Sequence, residues 1–355
     1  MVFLTLSGSM KKLRPIILTA LSLATASIAS ATPIQGLTVS VSPDGKQVVA
    51  GGDTRTLLVM DPETLEMKDR KWIEVSITGL AFNKTGETLL VQDSSDAIHL
   101  FNTADWTKKA ELSKRAAWTR SFESDKMAGY FRTTIYIHSM ADGSELGQIE
   151  VPDGERVAAL ALNSDGSKLA LLTQSQNDEE EPKVARADLP KDKKGPALEE
   201  FKQKNDGKTS RLLVFNTETG ESVRDEKIFF ATRNNSVMIY RGDDLVVVAY
   251  DNANARISPD GEIKIFELPN SFNYGIGVSP KGDLIMTGGL RKYSITKTDP
   301  LTSVTGEADK LPSWPEYWKG FGASPDGSQI YGSTSAYRVF KLDPSGKIVV
   351  SEPVK

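Results

Sequence analysis

A short turn sequence recurs along this chain and limits the fold more than any other feature. Five copies share an apolar residue, a Ser or Asn, two further residues and a Gly, and they stand at 41–45, 82–86, 162–166, 278–282 and 323–327. Two weaker copies stand at 122–126 and 240–244. The interval is about 40 residues, with one longer exception after the fourth copy. One supersecondary unit is therefore copied seven times.

The residues after each turn indicate what the unit contains. An apolar run such as 88–91 follows the turn, and a second run such as 98–101 ends in a polar turn at Asn102 and Thr103. Asp-Gly turns favour hairpins because Gly accepts positive φ and Asp bonds its own backbone. Short strands punctuated in this way predict an all-β chain. With a period of about 40–45 residues, they predict a seven-bladed β-propeller of four-stranded antiparallel blades over residues 32–355.

The Ser-Pro-Asp-Gly turns, followed by turns such as Asn216-Thr217-Glu218-Thr219-Gly220, carry a family resemblance. Residues 37–355 resemble the WD-repeat-like and YVTN-type bacterial β-propeller family, although the Trp-Asp and Gly-His pairs of eukaryotic WD repeats are absent. The resemblance implies the fold, and it leaves the function open because propellers serve many unrelated tasks. The last strand, near 348–350, is expected to belong to blade 7, so ring closure by strand exchange is not expected.

The first 31 residues have the features of a signal peptide. Lys11, Lys12 and Arg14 precede an apolar stretch over 16–28, and an Ala-Ser-Ala cleavage pattern ends at Ala31. Met10 is a possible true start. We expect a periplasmic or secreted protein with no membrane span after cleavage, since no other segment reaches the roughly 20 apolar residues that a spanning helix needs. A single membrane anchor at the N-terminus is the alternative.

Charge and cysteine content exclude several classes of function. The net charge is −4, which gives no general attraction for nucleic acid. The chain has no Cys, which excludes disulfides, thiol catalysis and Cys-ligated metals. The core alone must therefore stabilise the fold, which a chain of this length allows.

The longer interval between turns indicates an insertion at about 174–210, between the second and third strands of blade 4. It is rich in charged residues of both signs, with a possible helical turn or two at 196–204. Long loops inside a compact domain are usually functional or disordered. The insertion is thus either a lid or docking arm, or a solvent-exposed, partly disordered loop without a function.

No catalytic or metal-binding motif stands out. The two histidines, His99 and His138, fall in the third strands of blades 2 and 3, without a partner at metal-ligand spacing. The Asp of each Pro-Asp-Gly turn is interpreted as turn chemistry rather than a calcium ligand, because calcium needs six to eight converging oxygens. We expect no catalytic residues, no metal and no cofactor.

Aromatic residues with interspersed arginine mark one candidate binding face. They stand where the chain enters the first strand of a blade, on the face that also carries the insertion. This composition is typical of binding hot spots, although such rings also wedge between blades. The candidates are Trp72, Trp118, Arg120, Tyr274, Trp314, Tyr317 and Trp318.

Three hypotheses about the function remain open. The first is a non-enzymatic module that presents this face to a protein or peptide partner. The second is a propeller enzyme of the lactonase or quinoprotein type, using residues at the channel mouth; the small and apolar first strands speak against it. The third is a structural subunit of a larger envelope complex, which the sequence does not separate from the first.

Overall fold

The computed structural model describes residues 36–175, 210–228, 236–249, 254–270, 273–312 and 315–353. Within these ranges every regular element is a β-strand. The 28 strands form seven four-stranded antiparallel sheets, each built from four strands consecutive in sequence. The predicted seven-bladed β-propeller is confirmed.

The first four blades follow one another in chain order from Leu37. Their strands are β1 (Leu37–Val41), β2 (Val48–Gly52), β3 (Thr56–Met60) and β4 (Met67–Trp72) in blade 1; β5 (Ile77–Phe82), β6 (Thr88–Asp93), β7 (Ile98–Asn102) and β8 (Lys108–Leu112) in blade 2; β9 (Ala117–Arg120), β10 (Lys126–Phe131), β11 (Thr134–Ser139) and β12 (Glu145–Glu150) in blade 3; and β13 (Glu155–Leu162), β14 (Lys168–Ser175), β15 (Ser210–Asn216) and β16 (Ser222–Ile228) in blade 4.

The last three blades complete the ring. Their strands are β17 (Val237–Arg241), β18 (Asp244–Val248), β19 (Asn254–Ile257) and β20 (Ile263–Phe266) in blade 5; β21 (Gly275–Val278), β22 (Leu284–Gly288), β23 (Lys292–Thr298) and β24 (Leu301–Glu307) in blade 6; and β25 (Trp318–Ala323), β26 (Ile330–Thr334), β27 (Arg338–Leu342) and β28 (Ile348–Pro353) in blade 7.

Burial falls from the inner strands of a blade to its outer strand. In blade 2, Leu89, Leu90 and Val91 on the second strand are fully buried, whereas Lys108 and Lys109 on the fourth strand are exposed. Both faces of the inner strands pack against neighbouring blades, so their sequence is continuously apolar rather than alternating. The outer strand is a free sheet edge, and its charged residues oppose pairing with another chain.

The cores of the protein lie between blades. One example joins blade 1 to blade 7, where Val39 and Val41 of β1 share a buried cluster with Tyr331 and Val339. Alternate residues of a first strand point to opposite faces of the sheet, so each first strand contributes to two such cores. Since no blade buries both of its faces alone, the ring forms as a unit.

Blade 7 meets blade 1 through side chains. The Ser333 hydroxyl donates a hydrogen bond to the Leu37 carbonyl at 2.6 Å, and the Tyr331 hydroxyl donates to the Pro62 carbonyl at 2.7 Å. Strand β28 pairs with β27 of its own blade. The prediction that blade 7 keeps its own outer strand is confirmed, and closure depends on packing and these hydrogen bonds.

The recurring turns have the chemistry that the sequence predicts. In the first copy, Asp44 accepts hydrogen bonds from the Ser42 hydroxyl at 2.7 Å and from the Lys46 amide at 3.0 Å, and Gly45 has a φ of +70°. The hydrogen bond from Ser42 is the largest cause that lowers the pKa of Asp44. In blade 7, the Ser324 hydroxyl and the Ser328 amide lower the pKa of Asp326 to about 2. These carboxylates hold the turn backbone.

The predicted insertion in blade 4 falls between two paired strands. β14 and β15 pair up to Gln174 and Ser210, so the interruption lies between the second and third strands of the blade, as predicted. Residues 176–209 lie outside the described residues, and so does the helical turn predicted at 196–204.

Candidate functional site

Strand order gives the ring two different faces. The connections between blades, and those between second and third strands, lie on one face, which we call the loop face. The turns after each first strand, such as 42–45 and 324–327, lie on the other, which we call the turn face. The sequence placed its candidate residues on the loop face, and the structure puts those that it describes in five different environments.

Two of the candidates, Tyr274 and Tyr317, lie together on the loop face. Their ring centroids are 4.9 Å apart. The backbone of Tyr317 bridges to Leu290, a residue of blade 6 whose surface is 52% exposed. We call Tyr274, Tyr317 and Leu290 the tyrosine cluster. It places two aromatic rings and an exposed aliphatic side chain where blades 6 and 7 meet.

The backbone holds both rings of the tyrosine cluster in position. The Tyr274 amide donates to the Gly288 carbonyl at 2.8 Å. The Tyr317 amide donates to the Ser335 hydroxyl at 2.9 Å, and the Ser335 amide donates back to the Tyr317 carbonyl at 2.8 Å. A partner that binds this surface therefore meets a preformed backbone, which reduces the entropy cost of binding.

Trp318 is a core residue. It is fully buried and packs against the rings of Tyr293, Phe321 and Phe340, at centroid distances of 4.9, 5.2 and 4.8 Å. Its indole Nε1 donates to the Arg291 carbonyl at 2.8 Å. Trp318, which the sequence predicted as a binding residue, therefore stabilises the contact between blades 6 and 7.

Trp118 lies between blades 2 and 3 and is half-buried. Its Nε1 donates to Gln92 Oε1 at 2.9 Å, and Gln92 Nε2 donates to the Arg115 carbonyl at 2.9 Å. Part of the indole lines the central channel described below. Trp118 is thus a wedge between two blades that keeps one side open to the channel.

Arg115 is almost fully buried next to Trp118, and it has an unusual set of partners. Its Nη1 donates to the carbonyls of Ser113 and Lys114, each at 2.9 Å, and its Nη2 donates to His138 Nε2 at 2.9 Å. Its guanidinium carbon lies 4.2 Å from the centroid of the Tyr136 ring. Because arginine can only donate, His138 Nε2 is the acceptor.

His138 is therefore the neutral tautomer that carries its proton on Nδ1, which donates to the Gly143 carbonyl at 3.2 Å. Burial, and then the charge of Arg115, lower the pKa of His138. Both groups are parts of a structural network that runs from the connection before β9, where Arg115 lies, to the turn between β11 and β12.

The second histidine also has a partner. His99 Nε2 lies 2.9 Å from Asp93 Oδ2, and both side chains are buried. Burial alone would raise the pKa of Asp93, but the hydrogen bonds from His99 and Ser95 outweigh it and the pKa is lowered. Asp93 also accepts from the Ala97 amide at 3.0 Å, so the pair fixes the turn between β6 and β7.

The remaining aromatic candidates are dispersed. Trp72 ends the outer strand of blade 1 and is 64% exposed. Trp314 lies outside the described residues. Among the candidates that the structure describes, the aromatic side chains that remain on the surface are thus the tyrosine cluster and the isolated Trp72. Leu290 was missed, because one leucine in a loop gives no signal without its neighbours in space.

A central channel runs between the blades, with a volume of about 740 Å³. Its wall takes residues from the first strands of all seven blades, and it reaches turn-face residues such as Ser164, Pro280 and Pro325. The wall combines aliphatic side chains with aromatic and polar ones such as Phe321 and Gln92. Arg120 ends β9 and lies in this wall instead of the loop face on which the sequence placed it.

Within the described part of the chain, no three His, Asp or Glu side chains gather in a way that could hold a metal ion. In the same part, no helix has the length and apolar character needed to cross a membrane.

Comparison with known proteins identifies the fold and no family. No family model matches the chain, and no curated protein matches it by sequence. Hydrazine synthase of Kuenenia stuttgartiensis is similar in structure, with a TM-score of 0.61 and 13% identity over 91% of this chain and 99% of that chain. The Cps50 (Swd1) β-propeller domain of Myceliophteria thermophila has a TM-score of 0.58 and 12% identity over 84% of this chain and 95% of that chain. At these identities, only the fold is shared.

Proposed function

We propose that this protein is an exported, non-enzymatic binding module that presents its loop face to a protein or peptide partner. The observation that carries the proposal is the tyrosine cluster. Interface hot spots are enriched in tyrosine, because the ring gives a large contact area at a low cost in conformational entropy. Leu290 adds exposed apolar surface directly beside the pair.

Two arginines near the cluster are already paired: Arg291 pairs with Glu307, and Arg338 pairs with the buried Glu316. Lys292 and Lys319 make no ion pair with a described residue. The rings and Leu290 therefore form an apolar surface with charged groups at its edge. A central apolar patch with a polar rim is the usual anatomy of a protein interface.

Export is the second half of the proposal. It rests on the basic residues, the apolar stretch and the Ala-Ser-Ala pattern of residues 1–31. Cleavage after Ala31 would leave a mature protein that starts at Thr32.

Site-specific photo-cross-linking in intact cells tests both parts of the proposal, the loop-face binding site and export. A photo-reactive residue at Leu290 is expected to capture one discrete partner, and one at the exposed Lys46 on the turn face is expected not to capture it. Tyr317→Ala should reduce the Leu290 cross-link at least tenfold, because it removes half of the ring pair. The matched control is Trp72→Ala, which removes an exposed ring outside the tyrosine cluster and should leave the cross-link unchanged.

The outcomes separate the two halves. Equal capture from Leu290 and Lys46, or no effect of Tyr317→Ala, would contradict the loop-face site. The cross-linked protein should begin at Thr32 by mass spectrometry and be absent from the envelope fraction when residues 2–31 are deleted. An intact N-terminus in the cytoplasmic fraction would contradict export.

A further inference from the structure

The residue that precedes each turn on the turn face is equivalent in all seven blades. Turn hydrogen bonds define the equivalence: the amides of Ser42, Asn83, Ser121 and Asn163 donate across the turn to the carbonyls of Gln47, Thr88, Lys126 and Lys168, and blades 6 and 7 repeat the pattern. Blade 5 has a shorter turn in which Arg241 pairs with Asp244. The preceding residues are Val41, Phe82, Arg120, Leu162, Tyr240, Val278 and Ala323.

Six of these seven positions hold an apolar or aromatic side chain, and blade 3 alone places a charge there. Val41, Phe82 and Leu162 are buried in the cores between blades. Their first strands point this position toward the preceding blade. The side chain of Arg120 is half-buried at this position and reaches the central channel. A charged residue in such a position costs stability unless another group compensates it.

No described carboxylate neutralises the charge of Arg120. The guanidinium makes no hydrogen bond and no ion pair with any described residue. It lies over the ring of Phe122, whose centroid is 4.3 Å from the guanidinium carbon, which is a weakly favourable cation–π contact. Burial lowers the pKa of Arg120 to about 10, which still leaves the group charged at neutral pH.

The channel around Arg120 has the size and lining of a small-molecule site. Its volume of about 740 Å³ falls within the range of about 300–1,000 Å³ that ligand pockets occupy. Side chains such as Leu80, Met238 and Ile276 form the wall. Other charged lining residues are Glu123 and Lys281, and both are exposed in turns on the turn face.

We propose that the central channel binds a small organic anion with an apolar body, and that Arg120 holds its carboxylate or phosphate monoester group. The guanidinium fork matches either group with two parallel hydrogen bonds. The aliphatic part of the wall accommodates the rest of the ligand. This site differs from the loop-face site of the proposed function in its place, its chemistry and the class of its ligand.

Titration with four matched probes tests the proposal. Octanoate and octyl phosphate carry the two candidate anions, octanol has the same apolar body without charge, and inorganic phosphate has the charge without the body. Isothermal calorimetry on the purified protein should show the preferred octyl anion binding at least tenfold more tightly than octanol and than inorganic phosphate. Preference for octanoate assigns a carboxylate ligand, and preference for octyl phosphate assigns a phosphate monoester.

Two variants locate the binding in the channel. Arg120→Gln should reduce anion affinity to the level of octanol and leave octanol itself unchanged. Lys281→Gln removes an exposed cation from the rim of the same channel and should change anion affinity less than twofold. If Arg120→Gln fails to fold, Arg120→Lys replaces it; it should keep a preference for the anion over octanol but bind the anion more weakly, because lysine lacks the planar fork.

The proposal is overturned if neither octyl anion binds, if octanol binds as tightly as the anions, or if inorganic phosphate binds as tightly as octyl phosphate. It is equally overturned if Arg120→Gln retains full affinity, or if Arg120→Lys binds the anion as tightly as the unmodified protein does. None of these outcomes bears on the tyrosine cluster, so the loop-face proposal is tested separately.

Discussion

The contact between blades 6 and 7 and the contact between blades 2 and 3 both contain a tryptophan, and they use it differently. Trp318 fills the first contact completely, in space left by Gly288 and Gly332, where an added Cβ would clash with its side chain. Trp118 in the second contact is half-buried, and Arg120 lies two residues further along the same strand face.

This difference separates residues that stabilise the ring from residues available to a ligand. Around the Trp318 side chain the rings are packed and its indole N–H is satisfied, so this side chain does not face solvent. Around Trp118, the channel wall contains Arg120, which has no described hydrogen-bond or ion-pair partner, and part of the indole is open to the channel. Residues that are unfavourable for the stability of the fold are often found at functional sites.

The largest expected effect belongs to the packed contact. Trp318→Ala should lower the free energy of unfolding by about 3–5 kcal/mol, because it leaves a large cavity and removes the indole hydrogen bond. Urea denaturation followed by circular dichroism measures this change.

The control for that experiment is Trp72→Ala, since Trp72 is 64% exposed. Its effect should stay within about 0.5 kcal/mol. Similar losses in the two variants would mean that Trp318 does not hold blades 6 and 7 together in the way described.

A smaller effect, which depends on pH, is expected from the network beside Trp118. The folded-state pKa of His138 is lowered, so the folded protein binds a proton more weakly than the unfolded chain does. Stability supplied by the neutral imidazole is therefore present at pH values above its ordinary pKa and is lost as the pH falls below it. A protonated ring would also lose its acceptor for Arg115 Nη2.

His138→Gln provides the comparison, because a glutamine oxygen can still accept from Arg115 but does not titrate. Unfolding free energies at pH 7.5 and 5.5 should fall further in the unmodified protein than in the variant. Glu145 is the nearby acidic group that acts on His138, and it is present in both proteins. An equal fall in both would show that His138 does not contribute to the pH dependence.

The fold was predictable from the sequence because its strongest constraint is local. Turn chemistry at positions such as Asp44 and Gly45 depends on residues next to each other, and copying it seven times fixes the number of blades. Even the weak copies at 122–126 and 240–244 lie at true turns between first and second strands, although the first of them starts two residues after the equivalent position.

The site was less predictable because side-chain direction depends on strand register. A register shift lies between Trp318 and Gly320 at the start of β25, and residue type alone does not show that Trp318 turns inward. The proximity of Tyr274 to Tyr317 depends on contacts between blades. The position of Arg120 left no signal in the sequence: the sequence alignment places Phe122 at the position before the turn of blade 3, and only the turn hydrogen bonds show that Arg120 occupies it.

The most direct test of this account is the stability of Arg120→Leu, which gives blade 3 the residue that Leu162 supplies in blade 4. If the arginine is retained for a ligand and not for the fold, removing its uncompensated charge should raise the free energy of unfolding in the absence of ligand, by on the order of 1 kcal/mol. Urea denaturation measures it against the unmodified protein. A loss of stability would show that Arg120 supports the fold, through Phe122 or the channel wall, and would contradict the account.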